Sequence, residues 1–200
     1  MSQYWSKFTL DMKEDRKQII LQSLASMLEE RNMSKVTTAL LAEKSGITEA
    51  ALYRHFPSKR SIYAELFSFC DSAIFAKCNE LKKEKISAKD KIKNAFMFFI
   101  IFVEKNKGFA RLLSREALSA DEQNVTDNVN QFYERYELFL RQVLKDDNEN
   151  LVTQPGISAQ LILTTLEGNV SRYIRSKFKD SPSSYIENIW ELLAISIFKN

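Results

Sequence analysis

Few residues in this chain could perform acid–base or metal chemistry. Histidine occurs once, glycine 4 times and proline 3 times among 200 residues. A single histidine excludes a catalytic triad of the usual kind and a pair of histidine ligands for a metal ion. The isolated glycines form no phosphate-cradling loop. The acidic pair Asp146 and Asp147 lies in a loop-like stretch, where solvated carboxylates need no catalytic explanation. We therefore expect a protein that is not an enzyme and that needs no cofactor or metal.

Cysteine and long apolar runs are also scarce. Cys70 and Cys78 are the two cysteines, and they lie on one predicted helix, about 12 Å apart along its axis, which is too far for a disulfide. They also lack the C-x-x-C spacing of a redox or metal motif. No run is long enough to span a membrane, and the N-terminus lacks the pattern of a signal peptide. We expect buried, reduced thiols in a cytoplasmic protein without a membrane partner.

The apolar residues that are present recur at helical spacing. Hydrophobic residues make up 44% and aromatic residues 12% of the chain, which is enough for a packed core. No stretch shows the alternating pattern of a strand, so we predict an all-α fold. Ser119 with Glu122, and Ser184 with Glu187, have the spacing of capping boxes that begin two of the later helices.

Positive charge is concentrated near the N-terminus. The net charge is +3, and residues 1–60 contain 10 Lys or Arg against 7 Asp or Glu, whereas the other 140 residues contain 19 of each kind. A basic module beside a neutral body is typical of a nucleic-acid-binding protein. Chance scatter of three charges remains the alternative interpretation.

Two short predicted helices near the N-terminus are separated by a tight turn. Thr37 and Thr38 stand before the first helix as capping residues, and Gly46 ends it. The second helix opens at Thr48 and stops at Pro57, because proline lacks an amide hydrogen. Small side chains on its leading face would let this helix enter the major groove of DNA. The pattern predicts a helix-turn-helix.

The same stretch resembles the DNA-binding segment of TetR-type regulators. The resemblance is carried by TTALLAEKSGITEAALYRHFPSK, in which Tyr53, His55, Phe56 and Lys59 match the end of the recognition helix and the start of the fourth helix. Within that family the chain is most similar to the nucleoid-occlusion branch, through the segments ILQSLASMLEE, NKGFARLL, FYERYELFLRQVL and SRYIRSKFKDSP. The resemblance implies a TetR-like fold with an arm at 1–12, a three-helix DNA-binding module at 13–60 and a larger helical dimerisation domain at 61–200.

The resemblance also implies that a homodimer binds a pseudo-palindromic site in double-stranded DNA. We expect phosphate contacts from Thr37, Thr38, Tyr53, His55 and Lys59. We expect base contacts from Thr48, Ala50 and Ala51, with Lys44, Glu49 and Arg54 as further candidates. Tyr53 as a core residue and His55 as the filling of a polar niche are the alternatives.

The last two predicted helices supply the expected dimer interface. In TetR-type proteins these helices pair with their copies in a four-helix arrangement. The matching positions are Leu161, Thr165, Gly168, Arg172, Ile189, Trp190, Leu193 and Ile197. For Trp190, burial inside the monomer is an equal alternative.

The nucleoid-occlusion branch implies a protein partner, the tubulin-like division protein FtsZ, which the DNA-bound protein antagonises. The matching surface lies near the fourth and fifth helices, at Phe69, Lys77, Phe98, Ile101, Lys105 and Asn106. Lys77 and Lys105 keep the charge but depart from an arginine, and the aromatic surplus around Phe98 and Ile101 departs from the aliphatic pattern of the family.

A rival interpretation is a ligand-responsive TetR-type repressor. In that case the phenylalanines of the C-terminal domain would line an apolar pocket for a small molecule, whose binding lowers DNA affinity. The candidates are Phe96, Phe98, Phe99, Phe102 and Phe109. A filled core at these residues counts against a pocket, and an enclosed cavity counts for one.

Overall fold

A computed structural model describes residues 16–30 and 36–199. Within these residues the backbone forms nine α-helices and no strand beyond one isolated bridge between Leu151 and Phe198, so the all-helical prediction is confirmed. The predicted arm at 1–12 lies outside the described residues. No helix of the described part is long and apolar enough to cross a membrane.

The first three helices form the N-terminal module. They are α1 (Arg16–Glu29), α2 (Thr38–Lys44) and α3 (Glu49–His55). Gly46, in the turn between α2 and α3, has φ 65°, a left-handed conformation that costs glycine less than any residue with a Cβ. Leu24, Leu41 and Leu52 bring all three helices into the hydrophobic core.

A long helix, α4 (Lys59–Lys83), connects this module to the rest of the protein. Its 25 residues span about 37 Å. Ser58 and Ser61 cap each other reciprocally at its N-terminus. Buried residues run from Ile62 to Leu81, so α4 contributes to the core along nearly its whole length.

Five further helices build the C-terminal domain. They are α5 (Ala88–Lys105), α6 (Lys107–Leu113), α7 (Gln123–Lys145), α8 (Pro155–Arg175) and α9 (Ile186–Ile197). Helix α5 is central, because it packs against α4, α6, α7, α8 and α9. The apolar residues on one face of α5 are buried, and those on its other side are half-buried. The buried residues are Ile92, Phe96, Phe99 and Val103, and the half-buried ones are Met97, Phe98, Ile101 and Phe102.

The two predicted capping boxes have different outcomes. Ser119 and Glu122 form theirs, around a 3₁₀ turn (Ala120–Glu122) that precedes α7. Ser184 does not cap α9, because Pro182–Ser184 forms a separate 3₁₀ turn and α9 begins only at Ile186. The prediction was wrong there because Ser184 does not occupy the residue that precedes the helix. Glu187 lies 3.2 Å from the ammonium of Lys93.

Candidate nucleic-acid interface

Threonine hydroxyls hold the N-terminal ends of α2 and α3. Oγ1 of Thr37 accepts a hydrogen bond from the backbone N–H of Leu40, and Oγ1 of Thr48 accepts one from that of Ala51, both at 3.2 Å. Each bond satisfies an amide that the helix itself leaves unpaired. The predicted caps at Thr37 and Thr48 are confirmed, whereas Thr38 is the first residue of α2.

Thr38, Glu49 and Tyr53 link α2 to the recognition helix α3. The hydroxyl of Thr38 donates to the carboxylate of Glu49, and the hydroxyl of Tyr53 donates to Oγ1 of Thr38 at 3.4 Å. These bonds fix the relative position of the two helices at their shared outer surface. Tyr53 is 46% exposed, so its alternative assignment to the core is wrong.

The remaining predicted DNA-contacting residues lie on or beside the same surface. Ala50 and Arg54 are exposed and Ala51 and His55 are half-buried, whereas Phe56 is buried beneath the helices. The ammonium of Lys44 pairs with the carboxylate of Glu30, just beyond α1. The distribution of these residues between phosphate and base contacts remains a prediction.

Lys59, in the first turn of α4, has a partner in the C-terminal domain. Its ammonium lies 3.1 Å from the carboxylate of Glu122 and 5.2 Å from the ring centroid of Tyr63. Glu122 is only 1% exposed. The expected phosphate-binding lysine is therefore also an ion-pair partner, a relationship that the sequence pattern does not reveal because the two residues are far apart along the chain.

The environment of Glu122 holds it in the ionised form. Burial alone would raise the pKa of this carboxyl, but hydrogen bonds from the amide and hydroxyl of Ser119, together with Lys59, outweigh burial and lower it. A buried carboxylate with this many donors has a fixed orientation. It therefore holds the Lys59 ammonium at a defined place beside the N-terminus of α4.

The predicted partner surface is only partly accessible. Phe69 is half-buried and lines an open groove of about 210 Å³ with Leu21, Ala25 and Leu66, between α1 and α4. Asn106 is buried, and its amide donates to the carbonyl of Phe102 at 2.7 Å, so its prediction as a surface contact is wrong. The structure explains this by the position of Asn106 in the tight junction between α5 and α6.

The other predicted partner residues are at least partly exposed. Lys77 pairs with Glu80 at 2.7 Å and Glu84 at 3.7 Å, and Lys105 is exposed. Phe98 and Ile101 are half-buried, with the Phe98 ring 5.8 Å from that of Phe102. These positions lie on α4 and α5, which pack against each other.

Three of the predicted dimer residues lie inside the protomer. Trp190, Leu193 and Ile197 face the core, and the Trp190 ring lies 5.8 Å from that of Phe96, so their assignment to an interface is wrong. Helix α9 is apolar on two faces, and the stripe chosen from the sequence is the inward one. Of the others, Leu161, Gly168 and Arg172 are exposed and Thr165 and Ile189 are half-buried.

Five large apolar residues on α7, α8 and α9 are between 41% and 68% exposed. Leu161 was predicted from the sequence as a dimer residue, whereas Leu138, Ile157, Leu192 and Ile195 were missed. The sequence contained a signal for two of them, because Leu192 and Ile195 lie three residues apart on one helix and do not fall on the stripe that contains Trp190. Several exposed side chains of this size indicate contact with a partner.

Comparison with known proteins identifies the family. Residues 20–66 match the model of bacterial regulatory proteins of the tetR family, and residues 87–197 match the SlmA-like model of the tetracyclin repressor-like C-terminal domain. The chain belongs to the TetR family. Proteins of this family are non-enzymatic DNA-binding regulators, as the sequence led us to expect.

Curated relatives extend the TetR assignment over nearly the whole chain. The nucleoid occlusion factor SlmA of Vibrio vulnificus (strain YJ016) is 36% identical over 190 residues, which cover 92% of this chain and 97% of that protein. The nucleoid occlusion factor SlmA of Cronobacter sakazakii is also 36% identical, over 92% of this chain and 96% of its own.

Solved TetR-like structures share the fold at much lower identity. NalD, the secondary repressor of the MexAB-OprM multidrug efflux pump in Pseudomonas aeruginosa, aligns with a TM-score of 0.75 at 14% identity, over 92% of this chain and 96% of its own. FadR from Bacillus subtilis, in complex with stearoyl-CoA, aligns with a TM-score of 0.72 at 16% identity, over 90% of this chain and 98% of its own. These similarities concern the fold alone.

Aromatic rings fill the region where a TetR-type ligand pocket was considered. Phe96, Phe99 and Phe109 are buried. The ring centroid of Phe99 lies 5.3 Å from that of Tyr136, and the ring centroid of Phe109 lies 5.9 Å from that of Phe132. Phe102 contacts Phe109 edge to face at 5.8 Å. Rings packed at these distances leave little space between them, which counts against a ligand pocket at these phenylalanines.

Proposed function

We propose that this protein is a homodimeric nucleoid occlusion factor. It binds pseudo-palindromic chromosomal sites and, when bound, antagonises FtsZ assembly, so that the division septum does not close over DNA. The observation that carries the proposal is the 36% identity to SlmA proteins along 92% of the chain, which includes both the helix-turn-helix and the C-terminal domain. Similarity limited to the DNA-binding module would support DNA binding only.

The exposed apolar residues of α8 and α9 support the dimer. Pairing with a second copy would cover Leu161 on α8 and Leu192 and Ile195 on α9, which otherwise contact water. A two-fold axis through these residues also provides two recognition helices for successive major-groove faces, about 34 Å apart.

The capped recognition helix supports sequence reading. Thr48 caps α3, and Ala50 and Ala51 lie in its first turn, where small side chains permit close approach to base edges. Tyr53, Arg54, His55 and Lys59 lie further along and after this helix, where hydroxyl and cationic groups suit phosphate oxygens.

The DNA part of the proposal is tested by selection. Duplexes that bind the protein are enriched from a random pool. The mass of the complex with the most enriched duplex, called the selected duplex below, is then measured by light scattering. We expect a two-fold-symmetric sequence and two protomers per site. Enrichment of no symmetric sequence, or a complex with one protomer, contradicts the proposal.

The FtsZ part is tested with labelled duplex. Fluorescence anisotropy of the protein–duplex complex should rise when FtsZ is added, and this rise should be lost with Phe69→Ala, since the half-buried Phe69 lines a groove beside α4. Lys77→Met should reduce the rise as well. Both variants should bind the duplex as the wild type does, because neither residue lies on α2 or α3.

A further inference from the structure

A buried arginine of the C-terminal domain contacts the N-terminal module. Arg111, on α6, is 3% exposed, and its Nη1 donates to the backbone carbonyls of Leu28 and Glu30, each at 2.6 Å. These carbonyls lie at the C-terminal end of α1, where the helix has no amide partners left and where the helix dipole favours a cation. Arg111 therefore caps a helix of the other domain.

The helix that bears Arg111 approaches α1 unusually closely. A Cβ added to Gly108, one turn earlier on α6, would lie 3.1 Å from the carbonyl oxygen of Ala25 and 3.3 Å from the Cβ of Leu28. A side chain at Gly108 would therefore require α1 to yield by a few tenths of an ångström. The contact between α6 and α1 is thus tight in packing as well as hydrogen-bonded.

On its other side, Arg111 contacts the end of α8. The guanidinium lies 4.9 Å from the ring centroid of Phe178, within the range of a cation–π interaction. Phe178 follows α8 and has φ 61°, and Lys177 before it has φ 55°. Such a conformation is costly for a bulky residue and persists only where the surroundings determine it. Here the ring of Tyr173 at 5.0 Å and a hydrogen bond to its carbonyl at 2.9 Å hold Phe178 in place.

The contacted end of α1 also leads to the helix-turn-helix. The carboxylate of Glu30, whose carbonyl binds Arg111, pairs with Lys44 on α2. The hydroxyl of Ser23 on α1 donates to the carbonyl of Lys44 at 3.4 Å. A continuous set of contacts therefore runs from α8 through Phe178, Arg111 and Glu30 to α2.

We propose that Arg111, held by Phe178, is a positioning residue for DNA recognition: it fixes the helix-turn-helix relative to α8 and so sets the half-site spacing that the dimer accepts. This inference rests on the proposed dimer, in which α8 lies at the two-fold axis. A guanidinium suits the role because the two hydrogens of one terminal nitrogen, Nη1, serve both carbonyls while the delocalised planar cation faces the ring of Phe178. Arg111 touches no DNA in this account and acts through the module that it holds.

The test compares affinity for duplexes that differ only in half-site spacing. The selected duplex is compared with duplexes that have one base pair inserted or removed at the centre, which moves the half-sites by about 3.4 Å and rotates them by about 35°. We expect the wild type to lose about tenfold or more in affinity. In Arg111→Lys and Phe178→Leu the loss should shrink to about threefold or less, because the module is no longer held at one position.

The controls separate positioning from general damage. Arg175→Lys changes an exposed arginine at the end of α8, outside the predicted dimer residues, and should keep the wild-type spacing preference. Phe178→Leu removes the aromatic ring but leaves a non-glycine residue at the same left-handed backbone position. If Arg111→Lys does not fold, the spacing preference of Phe178→Leu tests the inference. If the wild type and the folded variants prefer the same spacing to the same degree, the inference about Arg111 is overturned and the proposed dimer is not affected. A wild type that prefers no spacing contradicts the proposed dimer and this inference with it.

Discussion

The ammonium of Lys59 lies 3.1 Å from the buried carboxylate of Glu122. This pair joins the first turn of α4, beside the DNA-binding surface, to the turn that precedes α7. Ser119 donates two further hydrogen bonds to the same carboxylate. The residue expected to contact a phosphate is thus held by the C-terminal domain before DNA arrives.

The pH dependence of stability should report this pair. The pKa of Glu122 is lowered on folding, so its contribution is fully present above the unfolded pKa, about 4.3, and is lost as the pH falls through the folded value. Glu122→Gln should lower the free energy of unfolding by about 1–3 kcal/mol at pH 7. Urea unfolding at pH 7 and pH 3 measures this.

The same experiment includes a control. Glu149→Gln changes an exposed carboxylate in the loop before α8 and should leave the urea midpoint nearly unchanged at both pH values. The difference between wild type and Glu122→Gln should shrink at pH 3. A difference that is equal at both pH values would show that the charge of Glu122 contributes nothing.

Thr48 should combine two separable roles. Thr48→Ser keeps the hydroxyl that caps α3 and removes only the methyl group, so stability should hold while base preference at one position of the site relaxes. Thr48→Ala also loses the cap and should cost about 0.5–2 kcal/mol of stability. Thermal unfolding and binding to a set of single-base variants of the site distinguish the roles. Unchanged base preference in Thr48→Ser would remove Thr48 from the base-reading residues.

The two faces of α9 should respond differently to mutation. Leu192→Glu and Ile195→Glu place charge on exposed positions and should yield a folded monomer, as judged by sedimentation velocity. Trp190→Ala removes a buried ring from the protomer core and should cost about 3–5 kcal/mol of stability. A stable dimer in both charged variants would mean that the interface lies elsewhere.

Local sequence signals were sufficient for most of the fold. The threonine caps at Thr37 and Thr48, the serine cap at Ser58 and the box of Ser119 and Glu122 all depend on residues within three or four positions of each other. Such short-range chemistry is visible in the sequence because helix ends have only a few ways to satisfy their amides.

The errors concern contacts between distant segments. Helix α9 carries two apolar faces, and periodicity alone cannot tell which of them meets α5 and which meets a partner. The pairings of Lys59 with Glu122 and of Arg111 with Leu28 and Glu30 join residues more than sixty positions apart. Likewise, the burial of Asn106 follows from the packing of α5 against α6.

The thiols should be unreactive in the native protein. Burial raises the pKa of Cys70 and Cys78 to about 12, so at pH 8 almost no thiolate is present and the sulfur atoms are also shielded. Labelling with a chromogenic disulfide should be slow without urea and complete in about 8 M urea, where the protein is unfolded. Rapid labelling of the native protein would contradict the buried position of these residues.

The most direct test of the account is sedimentation of FtsZ polymers with the protein and its selected duplex. FtsZ assembled with GTP is pelleted alone, with the protein, with the protein and a scrambled duplex, and with the protein and the selected duplex. We predict that only the last condition reduces the pelleted FtsZ or brings the protein into the pellet, and that Phe69→Ala, which still binds the duplex, has no such effect. Equal amounts of pelleted FtsZ in all four conditions, with no protein in the pellet, would contradict the nucleoid occlusion function.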